Sequence, residues 1–476
     1  MKLNKILMGG VLAASLFATG CSLEVKPDYA LDIDDANKYP ADQINGVMNS
    51  MYGVAYYGRN AYIFGDIGTD NIVEGENNSN RFIFESRMEK YEAMPNSVGS
   101  GETNLYDHIY KVINLANRVI VNPEADDNYK GQAYFLRALA SFDAVRFFDA
   151  VPLVLKPVES IEDAVNFRPE NDQMEVVYNQ VIADLEMAAS MITNEEVTAP
   201  TQNAANALLS RVYLYIADEV TDFAKIESLA DRADALAHVV AAADKVAGVD
   251  MVGANDFEEY FWNQGNNATE TIFELAVVES QSRGSDNFGY IYYMDAGGSG
   301  YGAYTANPEF INLFDDADVR KKHFVEVDPN KPGWQYIYKF AQTDGVTGMH
   351  APKILRFTEV MLNKAEALME TKPAEAAAII QSIRDARYTS AAPTVEVANI
   401  ENEVFTERRK ELAYEGHYMF DLRRHNMGVT LVRLVDGSKD KEVEELSSIP
   451  AGDKQFWFPI PQRSMLANTS LVQPKY

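Results

Sequence analysis

The sequence predicts an all-α protein: a tetratricopeptide-like scaffold of helical hairpins carrying long irregular binding loops. Three observations predict it. Apolar residues recur at helical spacing through many segments of the 476-residue chain. Small Ala residues recur inside those segments, which lets paired helices approach closely. Two stretches, 59–104 and 251–350, break the pattern with Asn, Gly and Tyr and are too long to be plain connections. Hydrophobic residues at 47% and charged residues at 24% place the chain among folded globular proteins.

The amino terminus comes first. Lys2 and Lys5 precede an apolar run from Ile6 to Ala18, followed by ATGC ending at Cys21. This is the layout of a signal peptide, and the run is too short to span a bilayer permanently. Residues 1–20 are therefore expected to be removed and residues 21–476 to form one domain. Cys21 is the only cysteine, so no internal disulfide is possible. It stands where acylation of a bacterial lipoprotein occurs, and acyl chains contribute ~0.8 kcal/mol for each buried CH₂. No later segment has the apolar length to cross a membrane.

Helical spacing then covers 105–120, 131–148, 174–192, 203–218, 225–247, 356–370, 373–387 and 401–415. The segment 131–148 has one stripe through Ala133, Leu136, Ala140, Ala144 and Phe147 and a second through Leu139 and Phe142. Two apolar faces predict a helix sandwiched between neighbours. A strict 34-residue repeat is not visible. No low-complexity linker divides the chain.

Charge and motifs exclude several functions. A net charge of -29 opposes binding to nucleic acid and to anionic membrane surfaces. The histidines His108, His238, His323, His350, His417 and His425 never pair at i, i+4, which disfavours zinc. Structural calcium finds no EF-hand spacing, and no cofactor is expected. There is no nucleophile elbow, no phosphate loop and no Cys near a His, so no catalytic residues are assigned.

The loop aromatics remain. Tyr290, Tyr292, Tyr293, Tyr301 and Tyr304 sit among glycines, and Asp70, Asn78, Arg81 and Phe82 lie in the other loop. Flat rings cover the apolar face of a sugar while amides, carboxylates and guanidinium groups bond its hydroxyls. The loops 59–104 and 288–308 are expected to form a shallow aromatic groove. Trp262 and Trp334 are outlying candidates, and Trp457 in FWFPIP reads as core.

The stretch ERRKELAYEGHYMFDLRRH, 407–425, carries five basic and four acidic residues. Val404–Glu415 reads as a helix ended by Gly416, and a short second helix follows. The balance of charge favours a partly buried structural network of Arg408, Glu411, Glu415, Asp421 and Arg424 over an anion site.

That stretch also resembles the carboxy-terminal signature of the SusD/RagB family. So do PKILRFTEVMLNKAEAL (352–368), GQAYFLRALASFDAVRFF followed by VPLV, the closing FPIPQR and NTSLVQ, and the placement of Cys21. Ser464, where an acidic residue is usual, and the ending ProLysTyr depart from the family pattern. The resemblance implies a non-catalytic outer-membrane lipoprotein, lipid-anchored and exposed at the cell surface. It would bind oligosaccharide or polysaccharide and act as a lid that passes it to a SusC-like TonB-dependent transporter. A peptide-binding lid of the RagB kind and a lipid-anchored scaffold that binds only proteins are the alternatives. Only Cys21 carries over by position, because the family's ligand residues vary with the ligand.

Overall fold

A computed structural model describes residues 36–75, 105–265, 270–329, 333–435 and 443–474. Cys21, Asn78, Arg81 and Phe82 lie outside the described residues. The main helices are α1 (Pro40–Met51), α2 (Asn60–Asp66), α3 (Leu105–Val121), α4 (Asp127–Phe148), α5 (Met174–Met191), α6 (Gln202–Glu219), α7 (Arg232–Ala243), α8 (Phe357–Leu368), α9 (Pro373–Arg387), α10 (Ile400–Glu411) and α11 (Tyr418–Arg424).

Each helix has a local cause. The stripe Ile109, Val112, Ile113, Ala116 and Val119 buries one face of α3. Asp126 caps α4 by accepting from the Tyr129 amide at 3.0 Å, and Thr201 caps α6 by accepting from the Ala204 amide at 3.0 Å. Pro373 opens α9 at a position where a missing N–H costs nothing. From Gly131 to Phe148 every residue of α4 except Tyr134 is buried, as its two apolar faces require. Successive helices pack side by side: α3 on α4, α4 on α5, α5 on α6, α6 on α7, α7 on α8, α8 on α9 and α9 on α10. That chain of neighbours is the helical-hairpin architecture. No helix among the described residues is long and apolar enough to cross a membrane.

The strands are short and pair antiparallel in twos. Ile72–Glu74 pairs with Tyr304–Ala306, Thr271–Glu274 with Lys353–Arg356, and Phe324–Glu326 with Gln335–Ile337. These pairings pin the region 251–350 onto the helical scaffold.

Three boundaries differ from the spacing. The stretch 59–104 contains α2, whose seven residues are all buried. The helix expected over 225–247 starts at Arg232, because Asp231 accepts from the Asp234 amide at 2.9 Å and fixes the cap there. The helix expected to run to Glu415 stops at Glu411, and Tyr414 already has φ 65°. The reason is tertiary: the 413–417 turn is pressed against α2.

That contact sets a testable requirement. A Cβ on Gly65 would lie 2.2 Å from the Gly416 carbonyl oxygen, which is backbone and cannot step aside. Gly65→Ala is expected to lower stability by about 1–3 kcal/mol in urea titration. Gly46→Ala, inside α1 with no atom within 4 Å of the new methyl, should raise it by about 0.5–1 kcal/mol. Equal midpoints for the two variants would refute the close-contact reading of Gly65.

Candidate functional site

The loop 288–304 separates its tyrosines by direction. Tyr292 and Tyr304 point inward and are fully buried. Tyr292 packs 5.5 Å from Phe288 and 5.9 Å from Tyr414, between ring centroids. These two are core residues and offer no ring to a ligand, which corrects the expectation that all five Tyr line a groove. Their apolar rings are worth more packed than wet.

Tyr290, Tyr293 and Tyr301 are half-buried and gather on one side. Ring centroids are 6.1 Å apart for Tyr290–Tyr293 and 6.3 Å for Tyr290–Tyr301. Tyr338, which the sequence did not single out, joins them 4.8 Å from Tyr293 at an interplanar angle of 45°. It comes from a stretch without glycine, where Tyr336, Ile337 and Lys339 are buried and Tyr338 is half-buried. Only the fold brings that stretch beside the Gly-rich loop. The Trp262 indole donates to the Tyr338 carbonyl at 3.0 Å and so supports the cluster from behind. Trp334 is half-buried.

The cluster is held rigidly. The Tyr301 amide donates to the Tyr290 carbonyl at 2.8 Å, the Gly302 amide to the Tyr293 carbonyl at 3.0 Å, and the Tyr338 hydroxyl to the Met294 carbonyl at 2.6 Å. Asp295 Oδ1 accepts from the Gly297 and Ser299 amides at 2.8 and 2.9 Å, and the Tyr293 hydroxyl donates to Asp295 Oδ2 at 3.4 Å. Gly300 needs its φ of 98°, and a Cβ there would meet the Tyr293 carbonyl oxygen at 2.1 Å. Partial burial, and then Asp295, raise the Tyr293 phenol; the same burial, with Tyr293 beside it, pushes Tyr338 up to about 12. Both hydroxyls stay neutral donors.

Asp70 has a different role. Its carboxylate pairs with Arg409 at 3.0 Å, and its carbonyl accepts from Asn307 at 2.8 Å. Arg409 in turn lies 4.6 Å over the Tyr418 ring. Asp70 therefore ties the turn before Ile72 to α10.

The basic stretch splits into two buried networks. Glu411 accepts from Arg387 at 2.9 and 3.0 Å, from Arg356 at 3.1 Å and from Arg320 at 3.1 Å. Glu415 accepts from Arg356 at 2.6 and 2.8 Å and from Lys339 at 2.7 Å. Burial alone would raise the Glu411 carboxyl, but Arg387 and Arg356 hold it well below the usual carboxylate range. The second network centres on Asp421, which accepts from Arg408 at 3.0 Å and from Arg424 at 2.9 Å. Arg408 turns away from Glu411, so the five residues grouped from sequence do not form one network. Among the described residues, Asp218, Glu366 and His425 approach closely enough to share a metal ion. Arg424 lies against two of them, donating to Asp218 at 2.8 Å and to Glu366, and supplies the cationic charge there. Trp457 is half-buried, with the Arg423 guanidinium 3.5 Å over its ring.

Comparison with known proteins follows the same lines. A family model described as the SusD family matches residues 326–476, and one described as starch-binding, associating with the outer membrane, matches residues 23–214. The chain belongs to the SusD/RagB family. A SusD-like protein of Formosa agariphila is 24% identical over 87% of this chain and 89% of its own length. Among solved structures, a putative sugar binding protein from Bacteroides vulgatus superposes with a TM-score of 0.75 at 22% identity, covering 91% of this chain and 97% of its own. A SusD superfamily protein from Bacteroides thetaiotaomicron gives 0.73 at 22% identity, covering 93% and 100%.

Proposed function

We propose that this SusD/RagB chain binds oligosaccharide or polysaccharide on the Tyr290–Tyr293–Tyr301–Tyr338 cluster at the cell surface. It delivers the glycan to a SusC-like TonB-dependent transporter and catalyses nothing itself. The single observation carrying the reading is the half-buried Tyr293–Tyr338 pair, 4.8 Å apart, with Tyr293 on a loop whose backbone is closed by Asp295. A fixed pair of rings offers stacking area at little ordering cost, and neutral phenols suit neutral hydroxyls. The names of the relatives, one a putative sugar binding protein, support the glycan class. Lipid attachment at Cys21 would hold the chain on the outer membrane. Shielding the ligand between this chain and the transporter would raise its effective concentration at the channel mouth.

The test is native affinity electrophoresis of the wild-type chain against a polysaccharide panel, followed by Tyr293→Ala with Tyr338→Ala. The double variant should bind the retarding glycan at least about tenfold more weakly, a loss of about 1.4 kcal/mol. Tyr338→Phe, which keeps the ring, should bind nearly as wild type. Retardation unchanged in the double variant would remove the site. Wild-type silence on every glycan, with heat from a peptide digest in calorimetry, would move the chain to the peptide-binding alternative.

A further inference from the structure

Lys111 and Arg118 stand seven residues apart on α3, two turns along one face. With Leu115 between them, and with Gln43, Asn49 and Ser50 of α1 opposite, they line a cleft of about 500 Å³. Among the described residues no Asp or Glu lines it, in a chain whose net charge is -29.

Several donors around this cleft have no acceptor. The Lys111 side chain is exposed, and no hydrogen bond or ion pair engages its ammonium. Arg118 is anchored by Nη2, which donates to the Val158 carbonyl at 3.0 Å, while its Nε–H is buried with no acceptor. The Ser50 hydroxyl is likewise buried without a partner. An unsatisfied buried donor costs about 1–3 kcal/mol, and two beside a free ammonium call for an acceptor. Gln43 is already fixed, donating to Asn37 at 3.2 Å and accepting from Asn122 at 2.8 Å, so one wall of the cleft is preformed.

We propose that this cleft binds an oxyanion-bearing sugar, the anionic group being a phosphate, sulfate or carboxylate. Ammonium, guanidinium and hydroxyl donors are the set that charge-assisted recognition of an oxyanion uses. The cleft is larger than a bare ion needs and within the usual range for a small ligand. Its Asn49 amide and the Leu115 side chain suit the hydroxyl and C–H faces of a sugar ring. The site shares no lining residue with the tyrosine cluster.

The test is calorimetry on the full-length chain in detergent at fixed ionic strength, with glucose 6-phosphate, glucuronate, glucose and inorganic phosphate as probes. Saturable binding of glucose 6-phosphate or glucuronate is expected, with no heat from glucose. Lys111→Ala should weaken it at least about fivefold and Lys111→Glu should abolish it, with the melting temperature of both variants unchanged. The Tyr293→Ala, Tyr338→Ala double variant should bind these probes as wild type. Phosphate binding as tightly as glucose 6-phosphate, with glucuronate silent, would mean an adventitious ion only and overturn the proposal. So would glucose binding equally well, no saturable binding of any probe, or binding indifferent to Lys111.

Discussion

Glu411→Ala is expected to remove about 3–5 kcal/mol of stability, the range for breaking a buried ion pair by deleting one partner. The carboxylate is fully buried and is the common acceptor for Arg320, Arg356 and Arg387. Its removal leaves three guanidinium groups with fewer acceptors in a place water does not reach. Glu270 would still accept from Arg356 and from Arg387, the latter at 3.0 Å, which keeps the loss below that of isolated charges. Glu170→Ala, exposed and outside the network, should stay within about 0.5 kcal/mol of wild type. Urea midpoints for the two variants provide the comparison. A loss under about 1 kcal/mol for Glu411→Ala would show that the network is dispensable, and the structural reading of 407–425 would fall with it.

Acidification should destabilise the protein strongly. His323, His350 and His417 are buried, and the ring nitrogens of His323 and His350 have no hydrogen-bond partner. His350 is enclosed instead by Phe340, Tyr62 and Phe288, with centroids at 4.6, 5.1 and 5.2 Å. Burial, aided by Lys339, depresses His323 to about 3; burial with Lys353 depresses His350, and burial with Arg211 and Arg408 depresses His417. The unfolded chain takes up these protons near pH 6.5 and the folded chain does not. The stability is therefore complete above about pH 6.5 and is lost as pH falls, by about 2 kcal/mol per histidine at pH 5. Asp66 works the other way. Burial, only partly offset by the Gly416 amide, raises it to about 7, so it favours the folded state as pH falls from 7 toward about 4. It offsets about one histidine, and Asp184 and Asp218, also raised by burial, act in the same sense, so the net loss between pH 7 and pH 5 stays below about 4 kcal/mol. Urea titrations at the two pH values measure it. Stability that is flat or rising on acidification would contradict neutral buried imidazoles.

The helical scaffold was legible because its cause is local. Apolar spacing in 105–120, 131–148, 174–192, 203–218 and 373–387 placed those helices within a few residues of where they fold. The two-faced pattern of 131–148 also foretold its burial on nearly all sides. Burial of an apolar stripe is dictated by period, and period is written in the chain. Helix ends were less legible where a distant segment intervenes, as at Glu411, where α2 presses on the following turn.

The candidate tyrosine cluster was half legible as a cluster. Glycine spacing showed that 288–308 could not be helical and would carry its Tyr on a loop. Which rings face in and which face out depends on hydrogen bonds to residues far away in sequence, so Tyr292 and Tyr304 were indistinguishable from Tyr293 until the loop was placed. Tyr338 had no local signal, since its value comes from a partner 45 residues away. The same holds for charge. The balance within 407–425 indicated ion pairing, but the partners Arg320, Lys339, Arg356 and Arg387 come from elements that meet only on folding. By itself the sequence determined the helices, the irregular loops and the family resemblance, because each rests on short-range pattern. Only the tertiary structure decided which side chains share a surface, because side-chain packing and electrostatics act through space between segments whose separation along the chain carries no trace of their contact.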